Sequence, residues 1–282
     1  MKCIDLHSDL LSFLAHREER SVDDPLSRCS YAHMQGGNVA IQTLALFSQT
    51  SPSSVERGEK QRAHFKKLVQ DHPERFASLS STPSSPIQLI AAVENASAFA
   101  TESEPLEDVF ARLRQWVDDL QKLFYITMTW DGENRFGGGV GSRAGLKSDG
   151  VELLTWVSGK RIAIDLSHTS DHLAYEILDH IDKKGLRVPV MASHSNFRAV
   201  TDRARNLPDT IAREIIARKG LIGINFFAPF IHSTDPLALA AHVAHGLSLG
   251  GEKALCFGAD FFNNRIIGIN FRKLFLMNIK LF

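Results

Sequence analysis

Short apolar or β-branched runs recur along the chain, most of them closing on a polar residue and followed by a stretch with helical periodicity. The runs predict eight strands, at residues 3–6, 39–47, 89–93, 124–129, 162–167, 188–193, 221–226 and 254–259. Residues 76–79 read as a short extra strand or as part of a helix–strand connection. Between the strands lie amphipathic helical windows at 54–71, 105–122, 170–184, 209–219 and 236–249. Pro105 and Pro236 suit first-turn positions, while Gly185, Gly220 and Gly250 follow helical windows as C-cap glycines do.

Eight strands alternating with helices in 282 residues is the arithmetic of a (β/α)8 TIM barrel, with a doubly wound open sheet as the alternative. The Ser/Pro-rich segment 80–86 and the Gly-rich segment 132–145 read as surface loops, because the β/α alternation continues on both sides of each. The pattern therefore predicts one barrel domain over residues 1–261. An atypical short tail follows at 262–282, with no Asp or Glu, four Lys or Arg, and many Ile, Leu, Phe and Asn.

Composition narrows the function classes. Apolar residues are 44% and charged residues 23%, which excludes wholesale disorder. Thirty-two basic residues balance 32 acidic ones, so there is no basic excess of the kind that marks a nucleic-acid binder. Cys3, Cys29 and Cys256 form no C-x-x-C pair, which argues against a disulfide framework or a thiolate zinc site and favours a reducing, cytoplasmic setting. The N-terminus has no secretory pattern, and no apolar run reaches the ~18 residues of a membrane span.

Candidate chemistry lies at strand ends. His7 and Asp9 follow the first strand in I-D-L-H-S-D-L, separated by one residue, so an extended backbone points both to the same side. Glu94, His168, His194 and Asp260 close four further apolar runs. In a barrel these termini converge on one rim, and imidazole with carboxylate donors suits zinc or a similar divalent ion. His242 and His245 have H-x-x-H spacing without the Glu of H-E-x-x-H, and read as helix-surface histidines. The run from Gly137 to Gly141 lacks the Lys-Ser/Thr of a phosphate loop and reads as a flexible lid over the mouth.

The segments D-L-H-S-D, A-V-E, I-D-L-S-H, M-A-S-H-S-N, R-N-L-P-D, G-L-I-G-I-N-F and G-A-D-F, in order from Asp5 to Phe261, resemble the membrane (renal) dipeptidase family of zinc metallopeptidases. The resemblance implies two zinc ions per chain, one on His7 and Asp9, the other on His168 and His194, with Glu94 bridging. It also implies hydrolysis of a dipeptide amide by a metal-bridged hydroxide, with Asp260 handling the nucleophile's proton. Arg205, in D-R-A-R-N-L-P-D, matches the family's binder of the substrate carboxylate, with Arg203 close by. Trp130 stands where the family often has a substrate-contacting His and is carried as a substrate-binding position. Asn95-Ala96 replaces glycines after Glu94, and Phe262 replaces a second carboxylate after Asp260. Homodimers are the family's habit. Other amidohydrolase chemistry, such as a deaminase or lactonase, is the alternative, as is a catalytically impaired metal-binding relative. The early arrival of Gly268-Ile269-Asn270-Phe271-Arg272 after Asp260 adds the expectation of a shortened C-terminus and a less stable chain.

Overall fold

The computed structural model describes residues 2–79, 87–231 and 237–262. Nine strands form one parallel sheet: β1 (Cys3–Asp5), β2 (Val39–Phe47), β3 (Phe76–Ser78), β4 (Ile87–Glu94), β5 (Leu123–Thr127), β6 (Ala163–Asp165), β7 (Val190–Met191), β8 (Ile222–Ile224) and β9 (Leu255–Phe257). Their order is β7-β6-β5-β4-β2-β1-β9-β8, with β3 off this path, paired to the start of β4. A bridge between Ala192 and Ile222 joins the β7 side to β8. Hydrogen bonds from Ala192 N to Leu221 O (2.9 Å) and from Gly223 N to Ala192 O (2.8 Å) close the ring. That closure makes the sheet a (β/α)8 barrel and removes the open-sheet alternative.

Alternation along the strands divides the core in two. Leu6, Ala92, Tyr125, Ala163 and Met191 form a compact cluster inside the barrel. Leu44, Leu46, Val93, Ile126, Ile164 and Val190 belong to the larger cluster shared with the helices. Those helices are α1 (Leu10–His16), α2 (Tyr31–Gly36), α3 (Ser54–Asp71), α4 (Leu106–Asp119), α5 (Ser148–Val157), α6 (Asp171–Lys184), α7 (Asp209–Ala217), α8 (Ala228–Ile231) and α9 (Ala238–Ser248). In α6, the Ser170 hydroxyl accepts the Leu173 N–H as N-cap, and Gly185 takes the left-handed C-cap position. Between them Leu173, Ala174, Ile177, Leu178 and Ile181 supply the buried stripe.

The sequence pattern missed α1, α2, α5 and the one-turn α8. Helix α1 buries Leu10, Leu11, Phe13 and Leu14 within seven residues, so it lacks the long polar face that periodicity detects. After α7 the left-handed residue is Lys219 (φ 60°), not Gly220. Gly220 instead makes a close approach, since a Cβ there would lie 2.1 Å from the Val190 carbonyl oxygen. Pro236, segment 80–86 and all of the tail beyond Phe262 lie outside the described residues. No helix among the described residues is long and apolar enough to cross a membrane.

Candidate metal centre

Several strands run shorter than their apolar runs because carboxylates replace carbonyl acceptors at the ends. Asp165 Oδ1 accepts the N–H groups of Ser167 (3.1 Å) and Ser193 (2.7 Å). Asp5 Oδ1 likewise accepts from His7 N (3.2 Å) and Ala259 N (2.9 Å). Freed from the ladder, the chain turns inward. His168 and Asp260 adopt φ of 65° and 59°, and Asn95, directly after Glu94, adopts 65°. Glycine favours such φ values, and a non-glycine residue is held there only by its surroundings. For Asn95 the hold is visible: its amide donates to Ser48 O (2.7 Å) while its oxygen accepts from Asn134 Nδ2 (2.9 Å).

The strand ends bring six of the sequence-selected residues together. Glu94 Oε1 lies 2.9 Å from His168 Nε2 and 3.7 Å from His194 Nε2. Its other oxygen lies 3.2 Å from His7 Nε2. Asp260 Oδ1 is 3.7 Å from the same His7 nitrogen, and ligand atoms of His7, Asp9 and Asp260 lie within 4.8 Å of one another. The rings of His7 and His194 stack with centroids 3.8 Å apart.

Each histidine is fixed through its far nitrogen. His7 Nδ1 lies 2.6 Å from the Tyr125 hydroxyl, which itself donates to Leu6 O. His194 Nδ1 lies 2.6 Å from Ser193 Oγ, which donates to Asp165 Oδ2. His168 Nδ1 lies 2.9 Å from Asp131 Oδ1. With the hydroxyl protons spent elsewhere, all three Nδ1 atoms act as donors, and in the neutral rings the Nε2 lone pairs face the Glu94 carboxylate.

Such a set fits a divalent cation. His168 Nε2 and His194 Nε2 are 2.9 Å apart, so at least one must present a lone pair to the other. His7 Nε2 and Asp9 Oδ1 are buried without a hydrogen-bond partner, an arrangement that is costly unless a cation sits between them. Burial, then the Glu94 charge, pushes the Asp9 carboxyl well above its ordinary range. Burial works to lower His7, but the Glu94 carboxylate overrides it and carries His7 up to about 10. Burial, reinforced by the charge on His7, holds His194 in its neutral, ligating form.

Arg205 adjoins this cluster. It is buried, donating from Nη1 to Ser195 Oγ (2.8 Å) and from Nη2 to His194 O (3.2 Å), while its Nε has no partner. Among the described residues no carboxylate lies within ion-pair distance of it. Arg203, by contrast, is exposed and reaches Pro229 O at 3.4 Å. Trp130 is half-buried, edge-on to Phe47 and 6.1 Å from the His168 ring. Asn225 Nδ2 donates to Asp260 Oδ2 (2.9 Å) and aims that carboxylate.

Sequence reasoning missed Tyr125, Asp131, Asp165, Ser193 and Asn225. Asp165 and Ser193 stood inside the motifs that marked His168 and His194, but nothing local shows which side chain turns toward which ring. Two other readings change. His242 is not on the helix surface: it is fully buried, with Nδ1 accepting the Phe197 N–H (3.2 Å) and Nε2 beside Thr201 Oγ1 (3.3 Å). The glycine run is packed as well, with Gly139 bridging to Thr169 and Gly141 N donating to Asp131 O (2.8 Å).

Fold and geometry thus define a parallel (β/α)8 barrel with a candidate metal centre on its C-terminal rim. A family model described as membrane dipeptidase (peptidase family M19) matches residues 1–270, and the chain belongs to that family. It is 26% identical over 190 residues to an uncharacterized protein from the pqqA 5' region of Klebsiella pneumoniae, covering 62% of this chain and 65% of that one. It is 31% identical over 143 residues to the dipeptidase verJ of Clonostachys rogersoniana, covering 49% of this chain and 36% of the relative. The matches therefore span less than two thirds of these relatives' own lengths. The fold is shared with a metallopeptidase of Rhodobacter sphaeroides liganded with a phosphinate mimic of L-Ala-D-Ala. That similarity has a TM-score of 0.79 at 19% identity and covers 93% of this chain and 86% of that one.

Proposed function

We propose that this protein is a zinc-dependent dipeptidase that hydrolyses the amide bond of small dipeptides. The observation that carries the reading is the convergence of three histidine Nε2 atoms on Glu94, each ring pinned through Nδ1, beside a buried arginine without a carboxylate partner. Membership of the dipeptidase family supports the same substrate class.

In this reading His7 and Asp9 would hold one ion and His168 and His194 the second, with Glu94, whose two oxygens face different histidines, shared between them. When bound, the ions would polarise the scissile carbonyl and make a water nucleophilic near neutral pH. Asp260, whose Oδ2 is held by Asn225, would serve as the acid/base that accepts a proton and returns it to the leaving amine. Arg205 receives the substrate's free carboxylate with its unpartnered Nε, so the peptide lies with its C-terminal end toward Ser195. Trp130, 6.1 Å from the His168 ring, offers an apolar face to the substrate.

The test is a zinc determination on purified protein together with hydrolysis of free and C-terminally amidated dipeptides. The reading expects about two zinc ions per chain and turnover of the free dipeptides alone. Zinc below one equivalent after reconstitution, or equal turnover of both peptide sets, would sink it.

A further inference from the structure

Asp131 has no counterpart in the ligand set, yet among the described residues it is the one carboxylate that reaches a site histidine from outside, at 2.9 Å from His168 Nδ1. The other two rings are pinned by neutral hydroxyls, those of Tyr125 and Ser193. A carboxylate on Nδ1 fixes the ring and raises the basicity of Nε2 more than a hydroxyl does.

The distance between Asp131 and His168 is itself built by the glycine run. Gly139 N donates to Gly132 O (2.9 Å) and Gly141 N to Asp131 O (2.8 Å), which fastens the run to the loop after β5. Val140 N donates to His168 O (2.8 Å) and Ser170 N to Gly138 O (3.1 Å), which fastens it to the loop after β6. The run is thus a backbone splint between the two loops. Position 139 must be glycine: a Cβ at Gly139 would lie 1.6 Å from Trp130 O and 2.6 Å from the Asp131 carbonyl carbon, both unyielding backbone atoms.

We propose that Asp131, held against His168 by the 137–141 glycine splint, is a positioning residue that determines how firmly the His168/His194 position retains its metal ion. The inference rests on the two-ion reading above. Asp131 touches neither substrate nor ion; it acts through the orientation and basicity of one imidazole. The splint also predicts that the two ion positions differ in retention, because no carboxylate backs the His7 ring in the same way.

The experiment follows zinc release from the zinc-loaded full chain into a chelator, with circular dichroism melts as a folding control. Asp131→Ala should release one of two equivalents roughly 10- to 100-fold more readily, leaving the other unchanged. Asp131→Asn keeps an oxygen for the His168 N–H and loses only the charge, so it carries the test if the alanine variant fails to fold. Gly139→Ala should reproduce the same selective loss. Glu133→Gln, on the same loop but paired to Lys147, should release zinc like the wild type. Wild-type retention in Asp131→Asn, or loss of both ions together, overturns the inference. A wild type that holds no zinc overturns the dipeptidase reading first, and this one with it.

Discussion

Arg205 and Glu94 are opposite cases of a buried charge. Burial lowers the pKa of the Arg205 guanidinium, because the carboxylates that favour its charge act from a distance and none is in contact. Glu94 is the reverse: burial would raise it, but His7 and His168 hold it below the usual carboxylate range. On the proposed reading, Arg205, a buried cation without an anion in contact, selects the free carboxylate of the substrate. Arg205→Ala should therefore raise KM for dipeptides by a factor equivalent to about 2 to 5 kcal/mol while zinc content stays constant, as steady-state kinetics with elemental analysis would show. Glu94→Gln preserves shape and removes the charge that faces His7, His168 and His194. It should lose at least one zinc equivalent by elemental analysis, and a variant that retains two would show that Glu94 does not span them.

His242 illustrates how an element can depend on one ring. It lies on the buried side of α9 and accepts the Phe197 N–H from the loop that follows His194. Protonation would abolish that acceptor. Burial, with a smaller contribution from His245, lowers its pKa to about 4 from an ordinary value near 6.5. The sign follows from linkage: a depressed folded pKa means that the unfolded chain binds the proton first. The contribution of His242 to stability is therefore complete above about pH 6.5 and is lost as pH falls toward about 4. Urea unfolding midpoints should drop between pH 7 and pH 5 in the wild type. His242→Asn, which keeps an acceptor but does not titrate, should flatten that drop. At this scale the sequence was readable where an element has two faces, as α3 does, or forms a long, mostly apolar run, as β2 does: both have the boundaries that the pattern assigned. Where burial surrounds an element, as for α1, or where an H-x-x-H pair lies on a largely apolar helix, periodicity reveals neither the element nor the buried ring.

The whole molecule depends on a narrow ring. Cβ atoms at Gly223 and Gly258 would each lie 1.9 Å from the Ser193 carbonyl oxygen, so β8 and β9 approach β7 only because neither residue has a side chain. Ser193 also anchors His194 and donates to Asp165, so closure and the candidate metal centre share one residue. Gly223→Ala should destabilise the fold by about 1 to 3 kcal/mol in denaturant titrations and lower zinc content together with it. Unchanged stability with normal zinc would show that the ring has slack at β8.

The chain's pattern of apolar runs, most ending in a polar residue, was enough to establish eight β/α alternations, because strand and helix periods are local properties of the sequence, but only the pairing of Ala192 with Ile222 decided that the sheet closes into a barrel. The pattern was also enough to nominate His7, Asp9, Glu94, His168, His194 and Asp260, because the fold directs every strand end to one rim. The tertiary structure alone decided what stands behind them. Tyr125 meets His7 across 118 residues, Asp131 meets His168 across 37, and Asn225 meets Asp260 across 35. Such pairings depend on which strands become neighbours and how far each end turns inward, and no spacing along the chain encodes either. The same reason separates Arg205 from Arg203: two residues apart in a polar loop, they are alike in sequence, and only packing against Ser195 and His194 buries one of them.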